Sequence, residues 1–180
     1  EVIEHIDEID LCYFAGGEPL ITDEHYVMLE EFIRRGKKPV LRYNTNASNI
    51  KYKKHDILEL WKHFDKIELS CSVDHFGERA EWLRKDLDYV TFQMNTVFSM
   101  FNYPMIGEFY QYLKDKNIVR TEDWYHSLYL AVHPSYYSAK SLPKELKIEA
   151  AENALKFADK FEGDKTSLSR LIRDAVNFAG

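Results

Sequence analysis

A chain of 180 residues with 45% hydrophobic and 30% charged residues can build one domain with a sizeable core, or one domain with a short helical appendage. Its formal net charge of −6 favours no nucleic-acid backbone as partner, and no apolar run approaches the length of a bilayer span. Two cysteines, Cys12 and Cys71, lie in strand-like runs and read as buried reduced thiols of a cytoplasmic protein, a disulfide between them having no support.

The opening residues Glu1-Val2-Ile3-Glu4-His5 match neither a signal peptide nor a start methionine, so the chain is expected to begin inside a longer protein. Ile9–Phe14 reads as a strand and Ala15-Gly16-Gly17-Glu18-Pro19 as the turn after it. Thr22 or Asp23 can cap a helix reaching about Arg35, with Tyr26, Leu29, Phe32 and Ile33 at helical spacing and Gly36 as its stop. Pro39–Thr45 is the next strand, Ser48 and Asn49 open a turn, and Asp56–Phe64 is helical. A third strand over Ile67–Val73 is followed by a short helix, Glu78–Arg84, at the lower limit for a crossover. Tyr89–Phe98 and Ser127–His133 are predicted strands, separated by a helix over Met105–Lys116. Two helices, Pro143–Phe161 and Ser167–Phe178, end the chain. Strand and helix in alternation predict parallel βα units, with 1–142 as a core and 143–180 as a helical segment.

Side chains alternate across a strand, so parity separates the two faces. Leu41 and Tyr43 oppose Arg42, Asn44 and Asn46; Leu69, Cys71 and Val73 oppose Ser70, Ser72 and Asp74. Phe92, Met94 and Thr96 oppose Gln93, Asn95 and Val97; Leu128, Leu130 and Val132 oppose Tyr129, Ala131 and His133. Parallel sheets covered on both faces usually read as continuous apolar runs, so this polar face implies an open barrel with a ligand cavity at the C-terminal strand ends. An antiparallel sheet with one wet face gives the same alternation. Intervening helices favour the cavity.

Gly16-Gly17-Glu18-Pro19 stands between a strand and a helix, where glycines allow close backbone approach and Glu18 can meet an ammonium group. In this setting Tyr13-Phe14-Ala15-Gly16-Gly17-Glu18-Pro19-Leu20 resembles the second strand and glycine-rich motif of the radical S-adenosylmethionine (radical SAM) superfamily. Tyr43-Asn44-Thr45-Asn46 is similar to its third strand. Ser72-Val73-Asp74 with Gly77-Glu78-Arg79-Ala80-Glu81-Trp82-Leu83-Arg84 is similar to its fourth strand and following helix, and Asn95-Thr96-Val97 to its fifth strand. The motifs keep their order across residues 9 to 145, and the pattern is most similar to the branch with SPASM or twitch extensions.

The resemblance implies an α/β fold: a partial (β/α)6 barrel with five of its six βα units, plus C-terminal helices. It implies that Gly16, Gly17 and Glu18, closed by Pro19, meet the cofactor's amino group, and that Ser72 and Asp74 face its ribose. Arg84 would pair with the methionine carboxylate, the alternative being a surface residue beside Asp86 and Asp88. Asn44, Asn46 and Asn95 would line the cavity; His75 and His133 are the weaker candidates for substrate contact. Tyr136, Tyr137 and Trp124 read as packing residues.

Members of this superfamily hold a [4Fe–4S] cluster on three cysteines spaced CxxxCxxC and generate a 5′-deoxyadenosyl radical for hydrogen abstraction. No such spacing occurs here, and no metal ligand is assigned to this chain. The first βα unit is therefore expected to lie outside these residues, through truncation, disorder or natural absence. Three functions remain open: a radical enzyme acting on a peptide or protein, a small-molecule radical enzyme resembling 7-carboxy-7-deazaguanine synthase, or a non-catalytic cofactor- or partner-binding barrel. The long C-terminal helices favour the first. A reductant such as flavodoxin or ferredoxin is implied with it; a nucleic acid or membrane partner is not.

Overall fold

The computed structural model describes residues 2–73, 89–116, 125–163 and 168–180. In chain order the elements are β1 (Leu11–Phe14), α1 (Asp23–Arg34), β2 (Val40–Thr45), β3 (Lys51–Tyr52), β4 (His55–Asp56), α2 (Ile57–Trp61) and β5 (Ile67–Ser72). Then come β6 (Val90–Phe98), α3 (Ile106–Asp115), β7 (Tyr125–Leu130), α4 (Lys144–Lys160) and α5 (Leu168–Ala179). The expected helix Glu78–Arg84 lies outside the described residues. No helix among the described residues is long and apolar enough to cross a membrane.

Five strands form a parallel sheet in the order β1-β2-β5-β6-β7. Tyr13 aligns with Arg42 and Phe14 with Tyr43; Asn44 aligns with Ser70 and Thr45 with Cys71. Bonds from Ile67 N to Tyr89 O and from Val73 N to Asn95 O step equally along both strands, as parallel pairing requires. This register overturns the antiparallel alternative. The wet face belongs to a parallel sheet: Arg42, Asn44 and Ser72 are exposed, while Leu41, Tyr43, Leu69 and Cys71 are buried.

Among the described residues the chain forms two compact units, one holding 2–72 and 89–93, the other 73, 94–116, 125–163 and 168–180. In the first, α1 buries His25, Tyr26, Leu29 and Phe32. The stripe turns slightly from the predicted one, with Ile33 half-buried and His25 inside. Thr22 sits at the N-cap in extended conformation, yet its hydroxyl donates to Pro19 O and makes no cap bond. Gly36, at φ +67°, supplies the left-handed residue that ends the helix. The β3–β4 hairpin is absent from the sequence reading because two-residue strands show no periodicity; Lys53 at φ 52° makes its bend. Asp56 leaves that hairpin as N-cap of α2, accepting from Leu58 N.

The second unit is a close helix packing. Ala150, Ala154 and Ala158 of α4 are buried at four-residue spacing, the arrangement that lets a neighbouring helix approach. Gly107 of α3 faces Phe157: a methyl group there would lie 2.9 Å from Phe157 Cβ and 2.6 Å from its Cγ. On α5, Leu168, Ile172, Ala175 and Ala179 are buried at similar spacing, and Arg173 bonds Asp159 of α4. The predicted packing of Leu130 and Val132 is not seen: β7 ends at Leu130, and the two are 39% and 51% exposed. Tyr136 and Tyr137 are exposed too, in ring contact with each other and, through Tyr137, with Phe101. Val132, Tyr136 and Tyr137 lie beyond the end of β7, outside any strand.

Candidate functional site

The turn after β1 is built on two left-handed residues, Gly16 at φ 85° and Gly17 at φ 55°. L-residues reach this region at a cost of about 1–2 kcal/mol, so glycine is the cheap choice. No atom lies within 4 Å of where a Cβ would stand on either, and both are exposed. The backbone here is open to a close-approaching ligand.

Glu18 follows in extended conformation and is half-buried. Its Oε1 accepts from Leu20 N at 3.2 Å, capping the 3₁₀ turn Pro19–Ile21, and from Thr45 Oγ1. Its Oε2 accepts from Asn46 N at 2.8 Å. Glu18 is therefore first a fastener, tying the glycine turn to the C-terminal end of β2. A carboxylate offers about four acceptor sites, so with three of them filled about one remains for a cation. Thr45 was hidden from the sequence reading by its parity, which matches the buried face. A polar side chain at an apolar parity position was the available signal. Thr45 Oγ1 also accepts from Ala47 N at 2.9 Å, and Ala47 adopts φ 53°.

Asn44 is exposed and donates to Tyr13 Oη at 2.6 Å; Asn46 is exposed and its Oδ1 accepts from Ser48 N at 2.8 Å. Part of the hydrogen-bonding capacity of both is thus spent locally. Ser72, exposed, ends β5 one residue past Cys71, which aligns with Thr45. The first unit thus gathers Gly16, Gly17, Glu18, Pro19, Asn44, Asn46 and Ser72 towards the C-terminal strand ends. Asn95 lies on β6 in the second unit, half-buried, its carbonyl bonded to Val73 N. His133, exposed, lies beyond the end of β7. Asp74, His75 and Arg84 lie outside the described residues.

Beneath the turn sits an aromatic cluster. Phe14 meets His25 edge-on at 4.7 Å and stacks on Tyr43 at 5.0 Å. His25 Nε2 is 2.9 Å from Tyr43 Oη, which also accepts from Trp61 Nε1 at 3.2 Å. Tyr26 stacks on His55 and Tyr52, and its hydroxyl donates to Leu20 O at 2.9 Å. Burial, aided by the field of His55, holds His25 down at about 4, so the imidazole is neutral. Burial first, then Asp56, Tyr52 and Glu18, pushes Tyr26 up to about 12.

A cavity of ≈ 300 Å³ opens beside this cluster, lined by Phe14, Ala15, Gly16, Pro19, His25 and Met28 among others. A more apolar one of ≈ 590 Å³ adjoins β1, with Val2, Ile3, Cys12 and Val27 in its lining. Cys12 proves half-buried where full burial was expected, because β1 is the end strand of its sheet. Burial raises its thiol and, with the field of Glu18, lifts Cys71 to about 12. Two thiols on separate strands cannot by themselves hold an iron–sulfur cluster. Among the described residues no group of three His, Cys, Asp or Glu side chains could hold a metal ion.

No protein-family model and no curated protein matches the chain. Among solved structures it is similar to polyhistidine-tagged anSMEcpe with bound AdoMet, an anaerobic sulfatase-maturating enzyme, at 19% identity and TM-score 0.51. That match covers 89% of this chain and 50% of the other. Native anSMEcpe with bound AdoMet is matched at 19% identity and TM-score 0.50, covering 89% and 49%. The chain spans about half the length of the structures it matches. With its parallel five-stranded sheet and flanking helices, it has the fold of a partial barrel of the radical SAM type.

Proposed function

We propose that this chain is the S-adenosylmethionine-binding part of a radical SAM enzyme of the SPASM or twitch branch, acting on a peptide or protein. On this reading 1–142 form the barrel core and 143–180 lead towards a further domain. The observation that carries it is the Glu18 carboxylate, anchored to Thr45 and Asn46 beside two open left-handed glycines at the C-terminal end of parallel strands. That arrangement suits an ammonium group: Glu18 supplies the charge, the glycines let the ligand approach, and Asn44, Asn46 and Ser72 offer polar edges. Asp74 would take the ribose, Arg84 the carboxylate and Asn95 the cavity wall, with His75 and His133 towards substrate.

The cofactor supplies hydrogen-abstraction chemistry when bound beside a [4Fe–4S] cluster. On this reading the cluster ligands come from outside these residues, since two cysteines, Cys12 and Cys71, are too few to hold it. The end position of β1, with Leu11 and Tyr13 exposed, leaves room for the strand of such a unit. An electron donor such as flavodoxin or ferredoxin and a cytoplasmic setting belong to the same proposal.

Titration calorimetry with S-adenosylmethionine on the wild type and Glu18→Gln tests it. The substitution keeps shape and removes charge, and at least a tenfold weaker Kd is expected, about 1.4 kcal/mol. Equal affinity in a folded variant, or no binding by the wild type, overturns the assignment.

A further inference from the structure

His25 and Tyr26 are consecutive in the first turn of α1, yet they hold opposite ends of the glycine turn. His25 packs on Phe14, the residue before Ala15-Gly16-Gly17-Glu18-Pro19, while the Tyr26 hydroxyl bonds the carbonyl of Leu20, the residue after it. His25 is in turn fixed to β2 through Tyr43, whose ring also stacks on Phe14.

The hydrogen bonds determine which imidazole nitrogen carries the proton. An indole N–H can only donate, so Tyr43 Oη accepts from Trp61. The single proton of Tyr43 then goes to its remaining partner, Nε2 of His25, which must accept. A neutral imidazole accepting at Nε2 carries its proton on Nδ1. The opposite assignment would leave the Tyr43 proton without an acceptor as well as Nδ1 without a donor. Nδ1 is buried and has no hydrogen-bond partner in either case, so one orphaned group is exchanged for two.

We infer that His25 and Tyr26 are positioning residues that clamp both ends of the glycine turn, His25 acting as the Nδ1–H tautomer held by Tyr43. The inference rests on the reading of Gly16–Glu18 as a cofactor site for its functional consequence, but not for its structural one. Tyr43→Phe and Tyr26→Phe each delete one hydroxyl and keep the ring, so both should fold. Trp61→Phe serves as control: it removes a larger group but leaves the Tyr43–His25 bond in place.

Nuclear magnetic resonance of the cofactor-free chain reads the ¹⁵N shifts of the His25 ring and the amide resonances of Gly16 and Gly17. The wild type should show a protonated Nδ1. Tyr43→Phe should lose that preference, and both tyrosine variants should shift the glycine amides more than Trp61→Phe does. Each should also weaken S-adenosylmethionine binding about 3- to 10-fold, with Trp61→Phe within about twofold of wild type. A proton on Nε2 in the wild type, or glycine amides that Trp61→Phe moves as far as the tyrosine variants do, overturns the clamp. Glycine amides that respond as described in a chain that fails to bind cofactor uphold the clamp and sink the cofactor reading.

Discussion

Acidification is expected to destabilise the fold through His25 well before the carboxylates titrate. The ring is 2% exposed and held neutral, at about 4 against an ordinary 6.5, chiefly by burial and then by His55. In the unfolded chain the same ring takes a proton near pH 6.5. The unfolded state therefore binds more protons between the two values, and stability must fall as pH drops through that window. The contribution is complete above about pH 7 and lost below about pH 4, with a full span of about 3 kcal/mol at roughly 1.36 kcal/mol per pKa unit. At pH 5 the loss is already about 2 kcal/mol by the same linkage relation. Urea denaturation at about pH 7.5, 6.5, 5.5 and 4.5 measures it, with His25→Phe as the comparison. Phenylalanine keeps an aromatic ring against Phe14 and cannot take a proton. The variant should start less stable, having left Tyr43 without its acceptor, and then decline more slowly than wild type. Parallel decline of the two proteins between about pH 7 and 5 would refute the assignment of a neutral buried His25.

Two further substitutions probe the packing on which the site depends. Gly107→Ala should cost about 1–3 kcal/mol by overpacking against Phe157, read as a lower thermal midpoint, and adding Phe157→Leu should recover part of it. A stable single variant would show that α3 and α4 do not approach as closely as described. Thr45→Val keeps shape but removes the Glu18 bond and the acceptor for Ala47 N, a loss of about 2 kcal/mol in chemical denaturation. An unchanged denaturation midpoint would mean that Glu18 is not fastened through Thr45.

Much of this protein is legible in its sequence alone. The alternation of β-rich runs with helical periodicity placed the major strands and α1, α3, α4 and α5 to within a few residues, because period 2 and period 3.6 follow from backbone geometry alone. Parity also separated the buried and wet faces of β2, β5 and β6, since the alternation is a property of each strand by itself. It failed at β7, where Leu130 is exposed and Val132 lies beyond the strand end. Nor could it decide between parallel and antiparallel pairing, which rests on register between segments distant in sequence.

Gly16-Gly17-Glu18-Pro19 was visible as a motif, but what Glu18 does locally was not. Its partners Thr45 and Asn46 lie 27 and 28 residues away, brought close only by the parallel pairing of β1 with β2. The same holds for His25, which resembled any histidine near the start of an amphipathic helix. Only the crossing of α1 over Phe14 and Tyr43 buries it, removes its water and leaves it neutral beneath the turn. Local pattern determines which elements form and which side of each is apolar. Hydrogen-bond partners and desolvation belong to three-dimensional neighbours, and those only the tertiary structure decides.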